Sequence, residues 1–243
     1  MRLRSRDAQR RLSIISKKKR REMTSDEKWI EFNAEAAYAD SIFRSALGDF
    51  EGSIECLQQA IDLMPTYAPA ILSMGSVEYQ RGRRSEGRKL FLKLLTLPND
   101  TEDLCEIVDE AGTFLIQTGE YTDGLELYRK ALACLGEVAV FYQGLGCCAG
   151  HEGLHEKAVQ ASRRAVELEP QGQQFVNDLG WSLLQAGDLI EAKETLERAV
   201  EMDPQDELAR ENLRRCNLLV ENESKKTNDA QGLMLMVDIN DKY

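Results

Sequence analysis

Five glycines recur at a near-constant interval: Gly48, Gly82, Gly119, Gly153 and Gly187, spaced 34, 37, 34 and 34 residues apart. A fixed period of this length confines a chain to architectures built from copies of one supersecondary unit. Two further series keep phase with the glycines. Seven residues before each stands a small residue: Ser41, Gly75, Gly112, Gly146 and Gly180. Five residues after each stands another: Ser53, Gly87, Gly124, Ala158 and Ala192. The turn glycine can take positive φ where a first helix ends. A small residue inside that helix lets a second helix pack close to it.

The fullest copy is Asp178 to Pro204. Leu179, Gly180 and Leu183 share one face of a first helix, Gly187-Asp188 turns the chain, and Ala192, Leu196 and Ala199 line one face of a second. Pro204 stops it, as Pro65 and Pro170 stop two other copies at the same phase. Pro98 closes the second copy one residue early, and Gly136 stands where the third would have proline. Two short helices cannot bury such a stripe alone, so each copy needs its neighbours.

This pattern resembles the tetratricopeptide repeat family, most closely over Leu145-Gly146 to Pro170 and Leu179-Gly180 to Pro204. The resemblance covers about Ala34 to Pro204 and implies an all-α, right-handed superhelical solenoid of five helix–turn–helix units with a capping helix. The expected division is 1–22 basic arm, 23–33 helical extension, units at 34–67, 68–104, 105–138, 139–172 and 173–204, capping helix 205–220 and flexible tail 221–243. The wider interval at Pro98-Asn-Asp-Thr-Glu102 predicts a longer loop there, where the stack can shear. The tail carries an apolar segment, Gly232 to Ile239, that reads as a recognition segment or a stretch of chain folding back on the groove.

Charge is unevenly placed. Residues 1–22 hold ten Lys or Arg and two acids in a chain of net charge −11. That asymmetry reads as an arm for nucleic acid or a nuclear import signal at Lys17 to Arg21, but the acidic body behind it disfavours nucleic acid. Met23 stands directly before the capping box Thr24-Ser-Asp-Glu27, so the native chain is expected to start there, with a solvated basic arm as the competing reading. Trp29, Phe32 and Ala36 fall on one helical face and are expected to pack over the open end of the first unit. The basic turn Arg81 to Arg84 is expected to be solvated.

No apolar run approaches the ~20 residues of a membrane-spanning helix. Six cysteines scattered on helical faces read as reduced thiols of a cytoplasmic protein. No cofactor is implied. The ligand-type residues Cys147, Cys148, His151 and His155 flank a turn at a spacing that suits zinc poorly, leaving Cys147 and His151 as weak metal candidates. No phosphate loop or nucleophile–base pair appears, so the chain is expected not to be an enzyme.

In the family, the first helix of each unit lines a concave groove that binds peptides. By phase the groove here takes Tyr38 and Ile42, Leu72 and Tyr79, Glu106, Asp109, Glu110 and Ile116, then Asn177, Trp181 and Leu184. The same phase assigns six positions in each of the five units, Glu35 among them, and none of these thirty is Lys or Arg. A clamp for the acidic C-terminal tail of a heat-shock chaperone would need them. The expected function is therefore a scaffold or adaptor for a basic–apolar peptide or helix, with Trp181 either an anchor for it or packed against Leu208 or Glu211 of the capping helix. A structural subunit assembling through its ends, and a nuclear or nucleic-acid factor using the arm, are the alternatives.

Overall fold

The computed structural model describes residues 24–240, so the basic arm at 1–22 lies outside the described residues. These residues form helices joined by turns and loops, with no strand among them. The first four pairs are α1 (Ser25–Ala46) with α2 (Phe50–Leu63), α3 (Ala68–Gln80) with α4 (Arg84–Leu94), α5 (Leu104–Gln117) with α6 (Tyr121–Leu135), and α7 (Ala139–His151) with α8 (His155–Leu168). The fifth is α9 (Gln173–Ala186) with α10 (Leu189–Met202), followed by α11 (Glu207–Asn240). The chain divides at Gly144/Leu145, inside α7, into an N-terminal and a C-terminal compact body.

The repeat signals act as the spacing implies. All five turn glycines have positive φ, 87° at Gly187. The small residue in each first helix faces a fixed position of its partner. A methyl on Gly75 would meet the Phe91 ring, on Gly112 the Tyr128 ring, on Gly146 the Ser162 hydroxyl and on Gly180 the Leu196 side chain. Thus Phe91, Tyr128 and Leu196, all buried, fill the space that the missing side chains leave. Gly144 also abuts Tyr128, so that ring is clasped by two glycines.

α1 opens with the expected capping box: the Thr24 hydroxyl accepts from the Glu27 N–H, and the Glu27 carboxylate accepts from the Thr24 N–H at 2.8 Å. Its Ala34, Ala37 and Ser41 are buried, but Trp29 and Phe32 are not. At 61% and 68% exposure they do not cover the first unit, contrary to the expectation above. The buried face of α1 lies to the other side, where three small residues let α2 approach. The long loop between α4 and α5 is present. It ends at Asp103, the one non-glycine residue of positive φ among the described residues (52°).

The basic turn Arg81 to Arg84 is exposed, as expected, and its arginines are paired with acids. Arg83 grips Glu78, with one nitrogen–oxygen distance of 2.7 Å, and Arg81 reaches Glu51 at 3.6 Å. Arg84 donates to Asp123 at 2.8 Å and pairs with Glu120 at 2.8 Å, while Arg88 pairs with Glu126. The cations of the second pair therefore bind the acids of the third.

In the C-terminal body Leu179, Leu183, Leu184, Ala192, Leu196 and Cys216 form one core cluster. α11 closes it, and continues to Asn240 where a flexible tail was expected. The stretch after Val220 is free of proline, so no residue in it blocks the helix from continuing.

Candidate functional site

The residues expected along one groove separate into exposed and occupied sets. In the N-terminal body, α1, α3, α5 and the loop before α5 enclose a cleft of about 710 Å³. Tyr38, Leu72, Glu106 and Glu110 line it. Its floor is apolar and aromatic: Tyr38, Met64, Tyr67, Pro69, Leu72 and Ile107. Tyr38 and Tyr67 pack edge to face at 5.6 Å between centroids, and the Tyr38 and Ser73 hydroxyls lie 3.4 Å apart, which fixes the floor.

The rim is acidic. Glu27, Glu31 and Glu35 come from α1 at intervals of four, one helical face. Asp100, Glu102 and Asp103 come from the loop, and Glu106 and Glu110 from α5. No Lys, Arg or His belongs to the lining. Of these acids, Glu35, Glu106 and Glu110 follow from the repeat phase; Glu27, Glu31 and the loop acids do not, because they lie outside the regular groove positions.

Other expected groove residues sit elsewhere. Ile42 is 55% exposed but outside the cleft, and Ile116 is half-buried. Asp109 turns toward α6 and accepts from the Tyr128 hydroxyl at 3.0 Å. Burial pushes its carboxyl above the usual range, against the opposing pull of that hydrogen bond. Tyr79 stacks on Phe91 at 5.4 Å and donates to Asp123 at 2.9 Å, so its ring and hydroxyl are engaged inside the fold. Burial, then the Asp123 bond, push the phenol well above its ordinary value.

In the C-terminal body, Leu184 is a core residue and Asn177 is 3% exposed. Asn177 accepts from Asn212 of α11 at 3.0 Å. Trp181 packs on the core cluster with the Arg215 guanidinium 5.3 Å from its ring centroid. These three positions are occupied by α11, which the repeat phase alone does not place.

Cys147 is half-buried, and burial raises its thiol; Cys148 is buried and pushed up to about 12. Such thiols are poor thiolates and poor ligands at neutral pH. Among the described residues no group of three or more His, Cys, Asp or Glu is arranged to hold a metal ion. None of the described helices is long and apolar enough to cross a membrane.

Comparison with known proteins agrees with this architecture. Residues 151–216 match the family model described as Tetratricopeptide repeat. The chain is 27% identical over 154 residues to the protein CTR9 homolog of Arabidopsis thaliana, covering 63% of this chain and 11% of that one. It is 26% identical over 136 residues to the small glutamine-rich tetratricopeptide repeat-containing protein 2 of Mycosarcoma maydis, covering 55% of this chain and 38% of that one. The chain thus spans well under half the length of either curated relative. In fold it is similar to YrrB, described as a TPR protein with an unusual peptide-binding site, with TM-score 0.51 and 20% identity over 76% of this chain and 96% of that one. Residues 151–216 thus match the tetratricopeptide repeat model, and the helix pairs and five turn glycines give the described residues the same fold as solved proteins of that kind.

Proposed function

We propose that the protein is a non-enzymatic adaptor whose N-terminal body holds a basic–apolar segment of a partner protein in the acidic cleft. One observation carries the reading: eight carboxylates stand around an apolar, aromatic floor with no basic residue in the lining. The carboxylates attract a Lys- or Arg-bearing segment and repel an acidic one. The floor gives an aliphatic or aromatic side chain of that segment a place to leave water. A space of this size takes a few side chains, one turn of helix or a short extended stretch. The left-handed backbone at Asp103 supports the reading, because it carries a carboxylate at the rim in a conformation that Asp tolerates at some cost.

The test is fluorescence anisotropy with synthetic peptides of three patterns: Lys/Arg with Leu and Tyr, the same apolar residues with Glu, and Lys/Arg with Ser. The first should bind, the second should not, and the third should bind more weakly. Glu106→Gln with Glu110→Gln should weaken the first about three- to tenfold at low salt, since exposed charges contribute ~0.2–1 kcal/mol each. Raising the salt should erase most of that difference. Equal binding of basic and acidic peptides would sink the reading.

A further inference from the structure

α1 presents three faces. Ala34, Ala37 and Ser41 are buried, and Glu27, Glu31 and Glu35 line the cleft. On the third, Trp29, Phe32, Phe43 and Leu47 are 61%, 68%, 61% and 70% exposed, with Ala36 and Asp40 exposed between them. Steps of three and four residues put these six on one stripe. Single exposed apolar residues are ordinary, but four large ones in one stripe mark an interaction surface. A shallow groove bordered by Ala36, Ala37, Ala39 and Phe43 runs along it.

The repeat indicates what kind of element covers such a stripe. Counted back from the turn glycine, Ala36, Asp40 and Phe43 hold the places of Ala70, Met74 and Val77 in the next pair. In the pair after that, the places belong to Ile107, Ala111 and Phe114. Ala70 and Met74 cluster with Leu57 and Ala60 of α2. Phe114 meets the Phe91 ring of α4 edge on. In both pairs the covering element is a helix, the second one of the pair before. On α1 the stripe is present and, among the described residues, open.

The stripe's own sequence indicates which helix. It is nearly symmetric in side-chain size end to end, with Trp29 and Phe32 at one end, Phe43 and Leu47 at the other, and Ala36 and Asp40 between. Laid antiparallel on a copy of itself about a two-fold axis near residues 37 and 38, it sets Phe32 against the second Phe43 and Trp29 near the second Leu47. At the centre Ala36 of each copy lies near Asp40 of the other, and the small alanine lets the two backbones come close. Contact of residue i with j, and of j with i, is what a two-fold interface requires. Asp40, near the axis, already pairs with Arg44 at 3.4 Å, so the charge it brings to the contact is compensated.

From this face we infer that the protein forms a homodimer, with α1 of a second copy docked antiparallel on the Trp29–Leu47 stripe. The acidic face of α1 stays clear of the contact, so the cleft remains open to its ligand. The inference is independent of the cleft reading.

Sedimentation velocity on the full chain tests it. The wild type should run as two chains at tens of micromolar. Phe32→Lys and Phe43→Glu, both at exposed positions, should each weaken self-association at least about tenfold with unchanged helical circular dichroism. Mixed in equal amounts, the two variants should associate again. A mixed pair sets the introduced lysine against the introduced glutamate once and the native Phe43 against the native Phe32 once, whereas either variant alone sets a charge against a ring twice. Because each copy carries net charge −11, added salt should strengthen the dimer while weakening basic-peptide binding at the cleft. A wild type that stays a single chain up to hundreds of micromolar would overturn the inference. So would variants that fail to associate when mixed. A full chain that dimerises only after removal of residues 1–22 would assign the stripe to its own arm and overturn it too.

Discussion

Tyr79 of α3 donates to Asp123 of α6 at 2.9 Å, and the same carboxylate oxygen accepts from Arg84 of α4 at 2.8 Å. One buried acid, 6% exposed, thus ties together three helices from two repeats. It does so beside the widest interval in the repeat, where the long loop loosens the covalent connection. Asp123→Ala leaves the Tyr79 hydroxyl without its acceptor and removes one partner of Arg84. We expect a loss of about 2–3 kcal/mol in urea unfolding, the usual cost of stranding partly buried polar groups. Hydrogen exchange should rise in α3–α6 and stay unchanged in α9–α11. Uniform exchange across the whole chain would refute the local role.

Gly112 and Gly144 face the two sides of the Tyr128 ring. Gly112→Ala or Gly144→Ala should cost about 1–3 kcal/mol by overpacking, because a buried ring cannot swing aside. Tyr128→Phe keeps the ring, loses the bond to Asp109, and should cost about 1 kcal/mol. Denaturant midpoints of the three variants check the order. A glycine variant milder than Tyr128→Phe would contradict this packing.

Asp109 gives a pH signature. Its folded-state carboxyl sits above the usual value, chiefly through burial. The folded chain therefore holds that proton more tightly than the unfolded chain does. Stability tied to this group is greatest below the unfolded pKa and falls as pH rises through the folded pKa. Asp109→Asn removes the titration. Its melting temperature should match wild type near pH 3.5 and exceed it at pH 7, by an amount that grows across the interval. A constant offset would assign the difference to another group.

The repeat architecture was legible because its signals are steric and local. A glycine at the turn and a small residue opposite each large one recur whatever the partner. The long loop was legible as three extra residues, and the start of α1 as a capping box. The site was legible only in part. Glu35, Glu106, Glu110, Tyr38 and Leu72 follow from phase, while Glu27 and Glu31 precede the first unit and the loop acids belong to irregular chain that the period does not index. Tyr79 and Asp109 were misplaced because a groove position says which way a residue points, not whether an Asp or Tyr on the next helix takes its polar group. Asn177 and Leu184 were misplaced because the C-terminal body buries them, while Trp181 takes the packing alternative beside α11, whose docking no period fixes. The exposed Trp29 and Phe32 have a related origin. Amphipathic spacing marks a face that suits a partner, but cannot say that the partner lies within the same repeat.

Trp181 makes the difference between a ligand anchor and a packing residue measurable. It rests on the Leu179–Leu196 cluster with Arg215 over its ring, and the neighbouring Asn177 is bonded to Asn212. Trp181→Ala should destabilise the C-terminal body by about 2–3 kcal/mol, below the full cost of truncating a buried aromatic because the ring is only half-buried. Asn177→Ala should cost about 1–3 kcal/mol by leaving the buried Asn212 amide without its acceptor. Arg215→Ala should cost under about 1 kcal/mol, the worth of an exposed cation over a ring. Basic-peptide affinity at the acidic cleft should be unchanged in all three. Urea unfolding followed by hydrogen exchange on α9–α11, beside the anisotropy assay, separates the effects. A Trp181→Ala chain of wild-type stability that loses the peptide would return the residue to a ligand-binding role.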